Sequence, residues 1–118
     1  MIEIWKRFRF EAAHRLPKTP SNHKCHNLHG HTFIVRLSFV GEIDENGWLV
    51  DFAEIEAEWL KIKSVIDHRY LNDIPGLENP TSEVIAMWIW ERMKGQIAEL
   101  ASVEVKENDD CGAVYRGA

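Results

Sequence analysis

Between Thr32 and Val40, Phe33, Val35, Leu37 and Phe39 recur on every second position, with Arg36 and Ser38 on the alternate ones. A period of two places the apolar set on one face of a β-strand and leaves the other face polar. From Phe52 the period changes. Phe52, Ile55, Trp59, Ile62 and Ile66 recur at spacings of three, four, three and four, which is one stripe of an amphipathic helix. A chain carrying both periods buries its one-sided strands against its one-sided helices, which is an α+β layout.

The remaining segments fit that layout. Residues 2 to 12 read as a strand, with Ile2, Ile4, Phe8, Phe10 and Ala12 on one side and Lys6 interrupting them. Glu45-Asn46-Gly47 is hairpin chemistry and predicts a short strand at Trp48 to Val50. Asp67 to Asn79 contains Asn72-Asp73 and Pro75-Gly76 and ends before Pro80, so it reads as a loop. A second helix is expected from Thr81, whose hydroxyl can cap it, to about Gly95, with Glu83 in its first turn. Its apolar residues nearly encircle it between Val84 and Trp90, which predicts contact with more than the sheet. Ala101 to Glu107 reads as a further strand and Ala113 to Arg116 as a short last one. The expected architecture is an antiparallel sheet with two helices on one face, forming a single domain over residues 1–118. The open edges of such a sheet predict assembly of several copies.

The net charge of −5 argues against a nucleic-acid surface, which needs a concentrated positive field. Arg7, Arg9, Arg15, Lys18 and Lys24 nevertheless gather in the first quarter of the chain. That asymmetry is compatible either with a small anionic substrate or with plain solvated charge. No apolar run reaches membrane-spanning length, and Met1 to Lys6 lacks the layout of a signal peptide, so a cytoplasmic protein is expected. Two distant cysteines, Cys25 and Cys111, are then expected to be free thiols.

His29-Gly30-His31 points two imidazoles to one strand face, in register with Phe33 to Phe39. His14 continues the row Phe8, Phe10, Ala12 in the same way. Three histidines at the ends of two inward-facing rows can converge on one ion, and zinc suits three imidazoles with an open fourth position. Cys25 leaves two possibilities open: a fourth ligand closing a structural site, or a free thiol acting as base or nucleophile. His23 and His26 are further ligand candidates. Asp67-His68 can relay a proton or simply end the first helix favourably. Glu107 extends the inward row of Val103 and Val105, where a carboxylate needs a cation or a pair of donors.

Together, Phe10-Glu11-Ala12-Ala13-His14, His23-Lys24-Cys25, His29-Gly30-His31, Asp67-His68, Tyr70-Leu71-Asn72, Asn79-Pro80-Thr81-Ser82-Glu83 and Val105-Lys106-Glu107 resemble the 6-pyruvoyl-tetrahydropterin synthase family. Within it they look most like the bacterial 6-carboxy-tetrahydropterin synthase branch of queuosine biosynthesis. The resemblance spans essentially the whole chain. It implies a tunnelling fold (T-fold), an antiparallel four-stranded sheet with two helices on one face, closing as trimers or stacked trimers into an oligomeric barrel. It implies zinc on His14, His29 and His31, and Cys25 as proton acceptor. Asp67 and His68 would act with Cys25 from a neighbouring subunit, Glu107 would anchor the pterin, and Thr81 and Ser82 would lie near it. The implied activity is a zinc-dependent lyase making 6-carboxy-tetrahydropterin, acetaldehyde and triphosphate from 7,8-dihydroneopterin triphosphate. Arg15, Lys18 and Lys24 are candidates for the triphosphate. His26 and Arg69 depart from the residues familiar at their positions. The pyruvoyl synthase shares the same catalytic residues, and a non-catalytic zinc-stabilised assembly module is the alternative from another class.

Overall fold

In the computed structural model, which describes residues 1–118, two thirteen-residue strands form the spine: β1 (Ile2–His14) and β2 (His29–Gly41). They run antiparallel in unbroken register from Ile2 opposite Gly41 to His14 opposite His29. Both extend further than the alternation of apolar residues predicts, so the histidines lie inside the ladder rather than beyond it. Helix α1 (Phe52–Ile66) starts where the Asp51 carboxylate accepts the Ala53 N–H at 2.9 Å. It is followed by β3 (Arg69–Tyr70), α2 (Ser82–Lys94), β4 (Leu100–Lys106) and β5 (Gly112–Tyr115).

The sheet order is β3-β1-β2-β4-β5. Four strands are antiparallel to their neighbours, as expected, but β3 is a fifth, lying parallel to β1 against Ala12 and Ala13. The sequence reads as loop there. His68 causes the difference: its left-handed backbone (φ 57°) turns the chain so that its N–H donates to the Glu11 carbonyl at 2.6 Å. The short strand expected at Trp48 to Val50 does not form. The Asp44 side chain accepts the N–H groups of Asn46 and Trp48, and its own N–H donates to the Trp48 carbonyl at 2.8 Å. These bonds close a compact turn with no partner strand beside it.

Both helices cover one sheet face. Phe10, Phe33, Val35, Leu37 and Phe39 from β1 and β2 meet Ile55, Trp59 and Ile66 of α1 and Ile85, Ile89 and Met93 of α2, all essentially buried. Each such side chain contributes about 1.5–3 kcal/mol from burial. Phe10 stacks on Phe33 at 4.8 Å. The apolar girdle of α2 is used on several sides, as predicted: the Trp88 indole donates to the Pro75 carbonyl of the preceding loop, and Trp90 packs edge-on against Tyr115 of β5.

The opposite sheet face carries no helix. Trp5, Arg7 and Arg9 are exposed there, with the Arg36 guanidinium 4.2 Å from the Trp5 ring centroid. The outer edge of β1 pairs with β3 only at Ala12 and Ala13, leaving the strand before them without an in-chain partner. No helix is long and apolar enough to cross a membrane.

Candidate metal centre and pterin site

At the end of the β1–β2 ladder, His14 lies directly opposite His29, and His31 is one inward position further along β2. The three rings form a tight cluster, with centroids 4.6, 4.9 and 5.2 Å apart. One candidate ligand atom from each lies within 4.8 Å of the others. Carbonyl groups fix two of the tautomers. His14 Nδ1–H donates to the Pro80 carbonyl at 2.8 Å, and His29 Nδ1–H donates to the Asn27 carbonyl at 2.7 Å. Both rings therefore keep the lone pair on Nε2.

His14 Nε2 and His31 Nε2 are buried and have no hydrogen-bond partner. A buried, unpaired ring nitrogen is costly, and two of them facing a third imidazole form an arrangement that a cation would satisfy. Burial holds His14 below its ordinary pKa, an effect that the Pro80 bond opposes and the charge of His29 reinforces. Burial likewise lowers His31, against the pull of Glu107. Neutral imidazole is the ligating form, and carbonyl-anchored Nδ1–H groups are the usual outer support of a histidine–zinc site. The donor set thus fits zinc, with no fourth protein ligand.

Glu107 follows the end of β4 and enters the same neighbourhood. Its Oε2 lies 3.4 Å from His31 Nε2, and its Oε1 accepts the Ser82 hydroxyl at 3.0 Å. Ser82 is brought there by the N-terminus of α2, whose preceding residue Thr81 uses its side-chain oxygen to accept the Val84 N–H. Thr81 therefore acts as a helix cap, whereas Ser82 is within the cluster. The junction at residues 80–82, where the chain enters α2, positions His14 through a carbonyl and Glu107 through a hydroxyl.

Cys25 occupies a short 3-10 turn, Lys24–His26, and is half-buried. Its N–H donates to His23 Nδ1 at 3.0 Å and its carbonyl accepts the Leu16 N–H at 2.7 Å. The thiol does not join the histidine cluster, so the closed four-ligand alternative is not formed. His23 caps the turn, and His26 donates from Nδ1 to the Thr19 carbonyl, so neither is a ligand here. Lys18 and Lys24 are exposed. Arg15 is not: its guanidinium donates to the carbonyl and ring nitrogen of His26.

Asp67 and His68 lie at the outer edge of β1. Asp67 accepts the Glu11 N–H at 2.9 Å on one oxygen and the His68 Nδ1–H at 2.9 Å on the other. Desolvation pushes the Asp67 carboxyl up, but the Glu11 bond and His68 outweigh it and leave the group below its ordinary pKa. The His68 side chain is 76% exposed and borders a hollow of about 610 Å³ that Glu11, His31, Thr32 and Tyr70 also line. Cys25 does not line it.

Residues 3–118 match the model of the family described as 6-pyruvoyl tetrahydropterin synthase. The chain belongs to that family. Among relatives, a Synechocystis protein named 6-carboxy-5,6,7,8-tetrahydropterin synthase is 41% identical, over 95% of this chain and 91% of its own. A Pyrococcus furiosus protein named dihydroneopterin monophosphate aldolase is 38% identical over 72% of this chain and 68% of its own. The structure of Caenorhabditis elegans 6-pyruvoyl tetrahydropterin synthase superposes with a TM-score of 0.91 at 27% identity, covering 99% of this chain and 96% of that one. The α+β sheet with two helices on one face is therefore the fold of this synthase family. The residue pattern marks His14, His29 and His31 but not their supports, the carbonyls of Pro80 and Asn27. A carbonyl is common to every residue type, so nothing in the sequence marks either one.

Proposed function

We infer that this protein is a zinc-dependent carbon–carbon lyase. With one water, it converts 7,8-dihydroneopterin triphosphate to 6-carboxy-5,6,7,8-tetrahydropterin, acetaldehyde and triphosphate, a step of queuosine (7-deazaguanine) synthesis in the cytoplasm. The observation that carries this is the pair of buried, unpartnered Nε2 atoms on His14 and His31 beside His29, with Glu107 and Ser82 next to them. The name of the Synechocystis relative supports the carboxy product.

His14, His29 and His31 hold the metal. Zinc bound there supplies Lewis-acid polarisation of oxygens on the substrate's side chain. Glu107 accepts N–H groups from the aminopyrimidinone edge of the pterin, and the Ser82 hydroxyl steadies its second oxygen. Fixing the ring in this way holds the side chain where a proton can be removed. Cys25 takes that proton, and the Asp67–His68 pair of a neighbouring copy exchanges it onward. A neighbouring copy is assigned this exchange because Cys25 does not line the hollow that His68 borders. The unpaired edge of β1 and the helix-free sheet face favour such a homo-oligomer, a trimer or a dimer of trimers. Lys18 and Lys24 face solvent and are free to meet the triphosphate.

Incubating the zinc-loaded protein with dihydroneopterin triphosphate should release one acetaldehyde per pterin consumed. A product retaining all three side-chain carbons would identify a pyruvoyl synthase instead. No turnover at full zinc would leave an assembly module.

A further inference from the structure

The turn carrying Cys25 is gripped by residues 15 and 16. Leu16 N–H donates to the Cys25 carbonyl at 2.7 Å. Arg15 takes the next residue: Nε donates to the His26 carbonyl at 3.2 Å and Nη2 donates to His26 Nε2 at 3.3 Å. The second contact works because His26 carries its proton on Nδ1, where it donates to the Thr19 carbonyl. No carboxylate pairs with this guanidinium, so its donors are committed to a carbonyl and a neutral ring.

Arg15 is itself held from a distant part of the chain. Asn72 Oδ1 accepts the Arg15 N–H at 3.0 Å, and Asn72 Nδ2 donates to the Arg15 carbonyl at 2.8 Å. The same Nδ2 donates to the Glu78 carbonyl at 3.2 Å. One side-chain amide thus closes both polar groups of Arg15 as a strand partner would. Arg15 directly follows His14, whose ring is buried and tied to Pro80. A continuous line of bonds therefore runs from Asn72 through Arg15 to His26, the neighbour of Cys25, and Arg15 is itself the residue after a proposed metal ligand.

We propose that Asn72 and Arg15 are positioning residues that set the place of the Cys25 thiol relative to the histidine cluster, acting through the Arg15–His26 contact. The inference rests on the assignment of Cys25 as proton acceptor. A three-residue 3-10 turn has few bonds of its own, and a loop of this kind takes its position from side chains that tie it down. Proton transfer tolerates little misplacement, since an error of about 1 Å can cost on the order of a hundredfold in rate. Arg15 then serves Cys25 rather than the triphosphate.

The test uses zinc-loaded full-length protein carrying Cys111→Ser, which leaves Cys25 as the sole thiol. Arg15→Met and Asn72→Ala are compared in that background for zinc content, kcat, KM and the rate of Cys25 alkylation by iodoacetamide. Both variants should keep zinc and keep KM within about twofold, while kcat falls roughly ten- to a hundredfold. Alkylation should change in parallel, rising about fivefold or more as the turn loosens. The double variant should cost no more than the worse single one, because both act on one clamp. A raised KM at unchanged kcat would make Arg15 a phosphate contact and overturn the proposal. Unchanged kcat with an unchanged alkylation rate would overturn it too. If Asn72→Ala does not fold, Arg15→Met decides alone. If the parent enzyme shows no lyase turnover, the lyase assignment fails, while alkylation still decides whether the clamp exists.

Discussion

The two halves of the proposed site are held in different ways. His14, His29 and His31 ride on the β1–β2 ladder, where unbroken register and a core of Phe10, Phe33 and Val35 leave them little freedom. Cys25 is held on a three-residue turn by a handful of side-chain and main-chain bonds. Metal ligands must meet one point within fractions of an ångström, so they belong on rigid strands. A group that accepts and returns a proton can sit on a loop, provided something clamps it.

The sharpest way to break this contrast is to delete a strand-borne ligand. His14→Ala should abolish stoichiometric zinc and lower turnover by at least about a thousandfold, because the metal chemistry goes with it. Metal analysis of the purified variant checks this, and full zinc occupancy would remove His14 from the centre. The loop half should separate from the metal half. Cys25→Ala should retain full zinc and the wild-type melting temperature while kcat drops by roughly two to four orders of magnitude. Loss of zinc in that variant would make the thiol a ligand after all.

Glu107→Gln sharpens the boundary between the halves. It keeps the shape but removes the charge behind the proposed ring contacts, a loss of about 1.5–3 kcal/mol. KM for the pterin should rise about ten- to a hundredfold with zinc unchanged. The smallest effect concerns acid. Burial keeps His14 and His31 below their ordinary value of 6.5 in the folded metal-free protein. The unfolded chain therefore binds more protons once the pH falls below that value. Metal-free stability should be full above 6.5 and decline as the pH falls through it. Thermal unfolding in chelator at pH 7.5 and pH 5.5 should show the lower midpoint in acid, and equal midpoints would contradict the burial argument.

Much of the strand-borne half was legible in the sequence, because period-two alternation carries register, and register carries His14, His29 and His31 to one face. The helix Phe52–Ile66 was equally plain from its spacing. Cys25 was legible as a candidate thiol, but the bonds that fix the loops were not. Arg69–Tyr70 pairs with β1 because His68 adopts a left-handed backbone, which residue type alone does not announce. Trp48–Val50 looked like a strand because its turn chemistry is real, yet Asp44 consumes the turn's N–H groups locally. Asn72 falls in a recognisable motif, but only the folded chain shows that its amide reaches Arg15.

The supports of His14 and His29 have one further implication. Their Nδ1 protons go to the carbonyls of Pro80 and Asn27, acceptors that every amino acid carries. Exchanging the side chain at position 27 while the turn keeps its shape leaves the acceptor in place and the histidine in the same tautomer. The protonation pattern of the centre is thus encoded in the path of the backbone. It can persist through sequence drift that rewrites the residues responsible for it.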